Sequence, residues 1–161
     1  MGADICHQVW IDAPLATVFA ALATAEGVSR WWNPQTPVQT ERGLVLEHDP
    51  GPEHGVVRML VVGFVPHRSV EWECISSHPA DTPGASWTGS RIRFDVVERK
   101  EFPPANAPWA AAIPAQTILE FRHSGLDDAS PYFAMCSFAW GEVLLKLQQV
   151  CQGQGGATDN S

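Results

Sequence analysis

Hydrophobic and polar residues alternate along several short segments of this chain, which is the period expected of half-buried β-strands. In the first segment, residues 5–11, Ile5, Val9 and Ile11 fall on one face and Gln8 falls on the other. Similar segments follow at residues 36–41, 43–49, 55–65, 70–76, 87–99 and 116–126. Because most of the connections between them are of hairpin length, the pattern predicts an antiparallel sheet.

A helical period, with apolar residues three or four positions apart, follows the first strand. Residues 12–23 predict a helix with Asp12 as its N-cap and Pro14 in its first turn. Gly27 is expected to break this helix. Residues 28–32 then form a second short helix, which ends before a proline.

The longest helical pattern lies near the C-terminus. Ser130 and Pro131 are suited to the start of this helix, and Gly153 is suited to its end. Its apolar residues recur at spacings of three and four, and they are Phe133, Cys136, Trp140, Val143, Leu144, Leu147 and Cys151. Such a stripe predicts an amphipathic helix that lies across the sheet.

Charged residues assign the faces of the central strands. Residues two positions apart share a face of a strand, and the charged pairs are Glu71 with Glu73, Arg91 with Arg93, and Glu120 with Arg122. They predict cross-strand ion pairs on the solvent face, each worth about 0.2 to 1 kcal/mol. The opposite face is apolar and aromatic, so the helices are expected to cover it. The fold class is therefore α+β.

Composition narrows the functional classes. The chain has 161 residues, with 10 Lys and Arg against 18 Asp and Glu, and its net charge is −8. No basic surface is expected, so nucleic-acid binding is disfavoured. The longest apolar run, residues 59–65, is too short to span a membrane, and no signal peptide is evident. We expect a soluble, cytoplasmic protein with one domain over residues 1–152 and a flexible tail at 153–161.

The candidate metal-ligating and nucleophilic residues give weak signals. The cysteines lie far apart, form no CxxC motif and are expected to be buried free thiols; they are Cys6, Cys74, Cys136 and Cys151. His48 and His54 flank a proline-containing turn that is expected to be exposed, so no metal site is predicted. No cofactor is predicted either, since no glycine-rich loop precedes a helix.

Catalysis has little support in the sequence. Cys74, Cys136 and His123 are predicted to face the same interior, but buried thiols are common in protein cores. No pair of carboxylates falls on the predicted inner face. We therefore assign no catalytic residue.

Several short motifs follow one another along the chain: "VFAAL", "EG" and "WW" after the first strand, then "VEWEC", "WTGSRIRF", "TILEFRHSGL" and "CSFAWGEVLLKL". In this order they resemble the motifs of the SRPBCC (START-like) superfamily, and within it the family of the C-terminal domain of the Hsp90 ATPase activator Aha1. The resemblance covers about residues 5–150. It implies a helix-grip fold, in which a curved antiparallel sheet wraps around the long C-terminal helix.

The resemblance also implies a cavity between the sheet and this helix that takes a small apolar or aromatic molecule. The residues predicted to bind the ligand are Trp32, Trp72, Phe94, Phe121, His123, Cys136 and Trp140. Trp31 and Trp32 are adjacent and point in different directions, so one is expected in the core and Trp32 towards the cavity. His123 is expected either to be a satisfied core histidine or to orient the ligand. A fully packed interior is the alternative to a cavity.

Several functions and partners fit the resemblance. The first is binding of a small hydrophobic molecule, and the second is a co-chaperone or protein-interaction module for an Hsp90-type chaperone. The third is an enzyme of the polyketide cyclase or aromatase kind. A homodimer is also expected. The proline-rich residues 102–114 depart from the family pattern and are interpreted as a connection, a lid or a dimer contact.

Overall fold

The computed structural model describes residues 2–99 and 115–153. The proline-rich segment at 102–114, with its predicted lid or dimer contact, lies outside the described residues. The predicted tail also lies outside them, apart from Gly153. None of the helices within the described ranges is long and apolar enough to cross a bilayer.

The described strands form one antiparallel sheet of seven strands in the order β1-β7-β6-β5-β4-β3-β2. The strands are β1 (Gly2–Ile11), β2 (Thr36–Thr40), β3 (Gly43–His48), β4 (Val57–Val65), β5 (Ser69–Cys74), β6 (Arg91–Glu98) and β7 (Thr117–Asp127). The strands from β2 to β7 pair in succession along the chain, as short connections require. The first strand, β1, pairs with the last, β7.

Helices pack on one face of the sheet, which confirms the predicted α+β helix-grip architecture. They are α1 (Leu15–Ala23), α2 (Ala25–Ser29) and α3 (Phe133–Cys151). The inward face of α3 carries Cys136, Trp140, Leu144, Leu147, Val150 and Cys151. The predicted stripe is therefore confirmed, with Phe133 and Val143 partly buried at its margins.

The predicted start of the second helix is wrong. We expected Gly27 to end one helix, but α2 begins at Ala25 and contains Gly27. Thr24 caps the helix by accepting a hydrogen bond from the Gly27 backbone N–H at 3.0 Å. A Cβ atom at Gly27 would lie 2.3 Å from the backbone oxygen of Ala20. The glycine is thus required by the close approach of α1 and α2, and it does not break the helix.

The predicted helix caps at Asp12 and Ser130 are also wrong. Pro14 occupies the N-cap position of α1, while the Asp12 carboxylate accepts a hydrogen bond from Gln116. Ser130 lies in a turn before α3, which begins only at Phe133. Gly153 follows α3 with a φ of 82°, as expected of a residue that ends a helix.

The charged face of the sheet is confirmed. Glu71 pairs with Arg93 and Glu73 pairs with Arg91 across β5 and β6, each with a closest nitrogen–oxygen distance of 3.3 Å. Arg122 bonds outward to Asp4 at 2.7 Å. The residues between these charges, including Trp72, Phe94 and Phe121, are buried on the other face. The charged pairs in the sequence therefore predicted the correct solvent face of these strands.

Candidate functional site

A cavity of about 240 Å³ lies between α3 and the loops at one end of the sheet. Its walls come from the α2–β2 connection, the β3–β4 turn, the β5–β6 connection and α3. The lining residues are Trp32, Asn33, His48, Pro50, His54, Val57, His78, Pro83, Gly84, Trp87, Met135, Cys136, Ala139, Trp140 and Val143. No lysine, arginine, aspartate or glutamate is among them, so the lining is apolar with a few imidazoles.

The two adjacent tryptophans differ in burial although their rings stack, with a centroid distance of 6.3 Å and an interplanar angle of 12°. Trp31 is buried, 3% exposed, and its indole N–H donates to the backbone oxygen of Ala21 at 2.7 Å. Trp32 lines the cavity. This placement is as predicted. Trp31 anchors the α2 region to α1, which leaves Trp32 to form part of the cavity wall.

The indole rings on the cavity wall are held by contacts with one another. Trp32 stacks on Trp72 with a centroid distance of 5.9 Å and an interplanar angle of 4°. Trp87 stacks on Trp140 at 5.9 Å and 13°, and Trp32 lies 5.1 Å from Trp140. Each ring therefore restricts its neighbours, and the wall presents preformed aromatic faces.

His123 lies one layer behind this wall and is fully buried. The Trp140 indole N–H donates to its Nδ1 atom at 3.1 Å. Because an indole nitrogen can only donate, the Nδ1 atom must accept, so the neutral ring carries its proton on Nε2. Nε2 then donates to the Ser90 hydroxyl at 2.8 Å. Burial lowers the pKa of His123 to about 3, so the ring stays neutral.

The hydrogen bonds of His123 have a direct consequence for the site. Both ring nitrogens are used within the protein, and the ring is not among the lining residues. Its position is that of a satisfied core histidine, bonded to two side chains. Its ring packs behind two residues that line the cavity, Trp140 and Trp87. The ring centroid of Trp87 is 5.0 Å from that of His123.

His48 and His54 are placed differently from the prediction of an exposed turn. His48 is the last residue of β3 and is only 7% exposed. It packs against Trp32 at a centroid distance of 4.6 Å. His54 is partly exposed at the cavity wall. The intervening prolines predicted an exposed turn, and local sequence gave no sign that Trp32 packs against the last residue of β3.

Both ring nitrogens of His78 make hydrogen bonds within the protein. Its Nδ1 atom faces the backbone oxygen of His54 at 2.7 Å, and its Nε2 atom faces the Ser76 hydroxyl at 2.9 Å. Nδ1 must therefore donate and Nε2 must accept. The Cys74 thiol lies 3.4 Å from the same hydroxyl. His78 lines the cavity but Ser76 does not, so the serine hydroxyl is not placed against a bound molecule.

The three buried thiols, those of Cys74, Cys136 and Cys151, are not activated. Burial raises the pKa of Cys74 and of Cys136, and it raises the pKa of Cys151 to about 11. Neither Cys74 nor Cys136 is hydrogen-bonded to His123, whose nitrogens are occupied elsewhere. The predicted burial of the cysteines is correct for these three and wrong for Cys6, which is exposed on the outer face of β1.

The predicted ligand-binding residues fall into two layers. Trp32, Cys136 and Trp140 line the cavity, whereas Trp72, Phe94, Phe121 and His123 support the wall from behind. Sequence reasoning did not predict that His48, His54, His78 and Trp87 line the cavity. The alternation in β3, where Leu44, Leu46 and His48 share a face, carried the signal for His48. Among residues 2–99 and 115–153, no group of His, Cys, Asp or Glu is placed to hold a metal ion.

Comparison with solved structures identifies the same fold in other proteins. The Aha1 dimer from Colwellia psychrerythraea matches with a TM-score of 0.68 and 23% identity, over 94% of this chain and 98% of that one. An AHSA1-like protein from Rhizobium etli matches with a TM-score of 0.64 and 22% identity, over 96% and 85% of the two chains. CalU16 from Micromonospora echinospora matches with 0.67 and 14%, over 95% and 76%.

These matches confirm the fold that the sequence motifs implied, since solved Aha1 and AHSA1-like proteins share the architecture of this chain. No family profile and no curated protein sequence matches the chain. At sequence identities of 14% to 23%, these comparisons show a shared architecture. The residues that line the cavity are therefore described for this chain alone.

Proposed function

We propose that this protein binds a small, flat, apolar or aromatic molecule in the cavity beside α3. The observation that supports the proposal is the cavity itself, about 240 Å³ in volume and lined by Trp32, Trp87 and Trp140. A well-packed core leaves few voids larger than a water molecule. An apolar space of this size with preformed aromatic walls is typical of a ligand site.

The volume limits the size of the ligand. Sites for drug-sized molecules usually measure about 300 to 1,000 Å³, whereas this cavity measures about 240 Å³. A molecule of one or two fused rings therefore fits the proposal better than a long acyl chain. Met135 and Cys136 add polarizable sulfur atoms to the wall, which favours contact with an aromatic ring.

Naphthalene is a suitable first probe for this cavity. A test variant and a control variant can both be made on α3. Ala139 lines the cavity and Ala134 is exposed on the same helix. We expect naphthalene to quench tryptophan fluorescence in the wild type and in Ala134→Phe. Ala139→Phe should weaken binding by about tenfold or more, since the new ring occupies the ligand's space. Equal affinity in both variants would place the ligand elsewhere, and an absence of binding to the wild type would contradict the proposal.

A second proposal concerns a second copy of this chain. The outer face of α3 exposes large apolar residues at helical spacing: Met135 is 43% exposed, Phe138 69% and Leu145 52%. An apolar stripe of this kind on a surface helix is typical of a protein contact. The Colwellia protein with this fold is described as a dimer. We infer that α3 forms a homodimer contact through this stripe.

Phe138→Glu tests the homodimer by analytical ultracentrifugation. We expect the wild type to sediment as a dimer and the variant to shift to the 17.6 kDa monomer, because a buried carboxylate would lack a partner. Val97→Glu is the control, since Val97 is 55% exposed on the sheet, away from α3. A monomeric wild type at high concentration, or equal shifts in both variants, would exclude this contact.

Two other functions implied by the resemblance have less support in the described residues. A cyclase or aromatase needs acid–base groups at the substrate, and the wall offers only imidazoles. A co-chaperone needs a surface for an Hsp90-type partner, and the α3 stripe is the candidate. Addition of the chaperone to the wild type and to Phe138→Glu, in the same sedimentation experiment, distinguishes this partner from a second copy.

A further inference from the structure

We propose that His48 is the hydrogen-bond donor that anchors the ligand, and that the ligand is a neutral aromatic molecule carrying a carbonyl oxygen. This inference rests on the proposed function of the cavity and assigns its polar contact. Its basis is the hydrogen bonding of one buried imidazole ring.

Gln35 fixes the tautomer of His48. The Gln35 Nε2 atom donates to the backbone oxygen of Asn33 at 2.6 Å and lies 3.1 Å from His48 Nδ1. The Gln35 Oε1 atom is farther from Nδ1, at 3.4 Å. An amide nitrogen has only hydrogens to offer, so Nδ1 accepts. The proton of the neutral ring is therefore on Nε2, as an N–H donor.

This donor has no partner within the described residues. His48 is 7% exposed and lines the cavity, and its one set of hydrogen bonds is that of Nδ1 with Gln35. The Nε2 atom is not one of the fully buried polar atoms that lack a partner, so it is open to the cavity that His48 lines. The Nε2 edge is thus a polar group that a ligand in the cavity would meet, and the ligand atom that bonds to it must be an acceptor.

The other imidazoles of the wall are less suited to this role. Both nitrogens of His78 are used, by Ser76 and by the backbone oxygen of His54. The His54 ring is partly exposed and already meets solvent. Among the imidazoles of the wall, His48 is therefore the donor best placed for a ligand. The Trp87 indole N–H also lines the cavity and is buried without a hydrogen-bond partner among the described residues, so it is a second donor beside the same space.

The charges around His48 favour a neutral acceptor over a carboxylate. Among residues 2–99 and 115–153, no lysine or arginine lines the cavity. The titratable groups around His48 are Asp49, which directly follows its strand, His54 and His78 from neighbouring loops, and Cys136 on α3. Burial lowers the pKa of His48 to about 4, with a smaller lowering by His78 and an opposing effect of Asp49. The ring is neutral at pH 7, and a buried carboxylate would lack a cation.

The test compares two probes that differ at one atom. These are 2-acetylnaphthalene and 2-isopropenylnaphthalene, in which a CH₂ group replaces the carbonyl oxygen. By equilibrium dialysis we expect the wild type to bind the ketone about 2- to 10-fold more tightly, the range of one net hydrogen bond. His48→Phe should bind both equally, and His67→Asn, a control at an exposed histidine outside the cavity, should keep the preference. The ketone's affinity should not change between pH 8 and 5.5.

Each outcome bears on a different claim. Equal binding of the two probes by the wild type would overturn the role of His48 while leaving the proposed cavity function intact. Failure of both probes to bind would overturn the cavity function as well. Tighter binding of 2-naphthoate than of the ketone, with affinity rising as the pH falls, would show that the ligand is an acid that protonates His48. If His48→Phe does not fold, ¹⁵N spectra of the wild-type imidazoles replace it: the ketone should shift the protonated Nε2 of His48, and an unchanged signal would contradict the contact.

Discussion

Trp140→Ala is expected to lower the free energy of unfolding by about 3 to 5 kcal/mol. The side chain is 3% exposed and is the hub of the aromatic cluster, with ring centroids 4.7 Å from Phe121 and 5.1 Å from Trp32. Its removal leaves a cavity that these rings fill only in part. It also removes the donor to His123 Nδ1, which then remains buried without a partner.

Urea denaturation followed by far-UV circular dichroism measures this loss. Trp10→Ala is the matched control, because Trp10 is 44% exposed on the outer face of the sheet. Its ring contacts the Arg99 guanidinium at 4.1 Å, so its removal should cost only about 1 kcal/mol. A similar loss in both variants would contradict the role of Trp140 as the anchor of α3. Trp140→Phe keeps most of the packing and isolates the hydrogen bond.

Acidification from pH 7.5 to pH 5 is expected to lower the stability by about 2 kcal/mol through His123 alone. The pKa of this residue is lowered by burial from 6.5 to about 3 in the folded protein. Between these two values the unfolded chain binds a proton that the folded protein does not bind. Protonation therefore favours unfolding, and the stability decreases as the pH falls from about 6.5 towards 3. His48, with its pKa lowered to about 4, adds to the loss in the same direction.

His123→Asn identifies the contribution of this residue to the acid sensitivity. The variant is less stable at pH 7.5, since Trp140 and Ser90 lose their partner. The further loss on going to pH 5 should be smaller than in the wild type by about 2 kcal/mol. His67→Asn is the control, because His67 is exposed and its φ of 61° suits asparagine. An equal pH dependence in wild type and His123→Asn would show that His123 is not the titrating group.

Some parts of the site were predictable from local patterns. Alternation placed Trp72, Phe94, Phe121 and His123 on the inner face, because adjacent residues of a strand must point to opposite sides. The helical spacing of Trp140 and its neighbours placed α3 on that face for the same reason. These inferences need only the geometry of one strand or one helix.

Other parts depended on which elements meet. The sequence indicated that Trp31 and Trp32 point in different directions, but their rings stack at a centroid distance of 6.3 Å. The cavity position of Trp32 depends on the bond of Trp31 to Ala21 in α1. Gly27 was interpreted as a helix breaker, because local chemistry does not show that Ala20 lies against it. His48 was assigned to an exposed turn, although α3 and the β5–β6 connection enclose the end of its strand.

By itself, the sequence determined the sheet, the long helix and the composition of each face, because hydrophobic period and charge pairing are local properties. Only the tertiary structure decided where the interior is filled and where it is open. His123 lies behind the wall because Trp140 and Ser90, distant in sequence, use both of its nitrogens. His48 reaches the cavity with a free N–H because Gln35 binds its other nitrogen. Long-range contacts set the hydrogen bonding and burial of these rings, and the linear pattern shows neither.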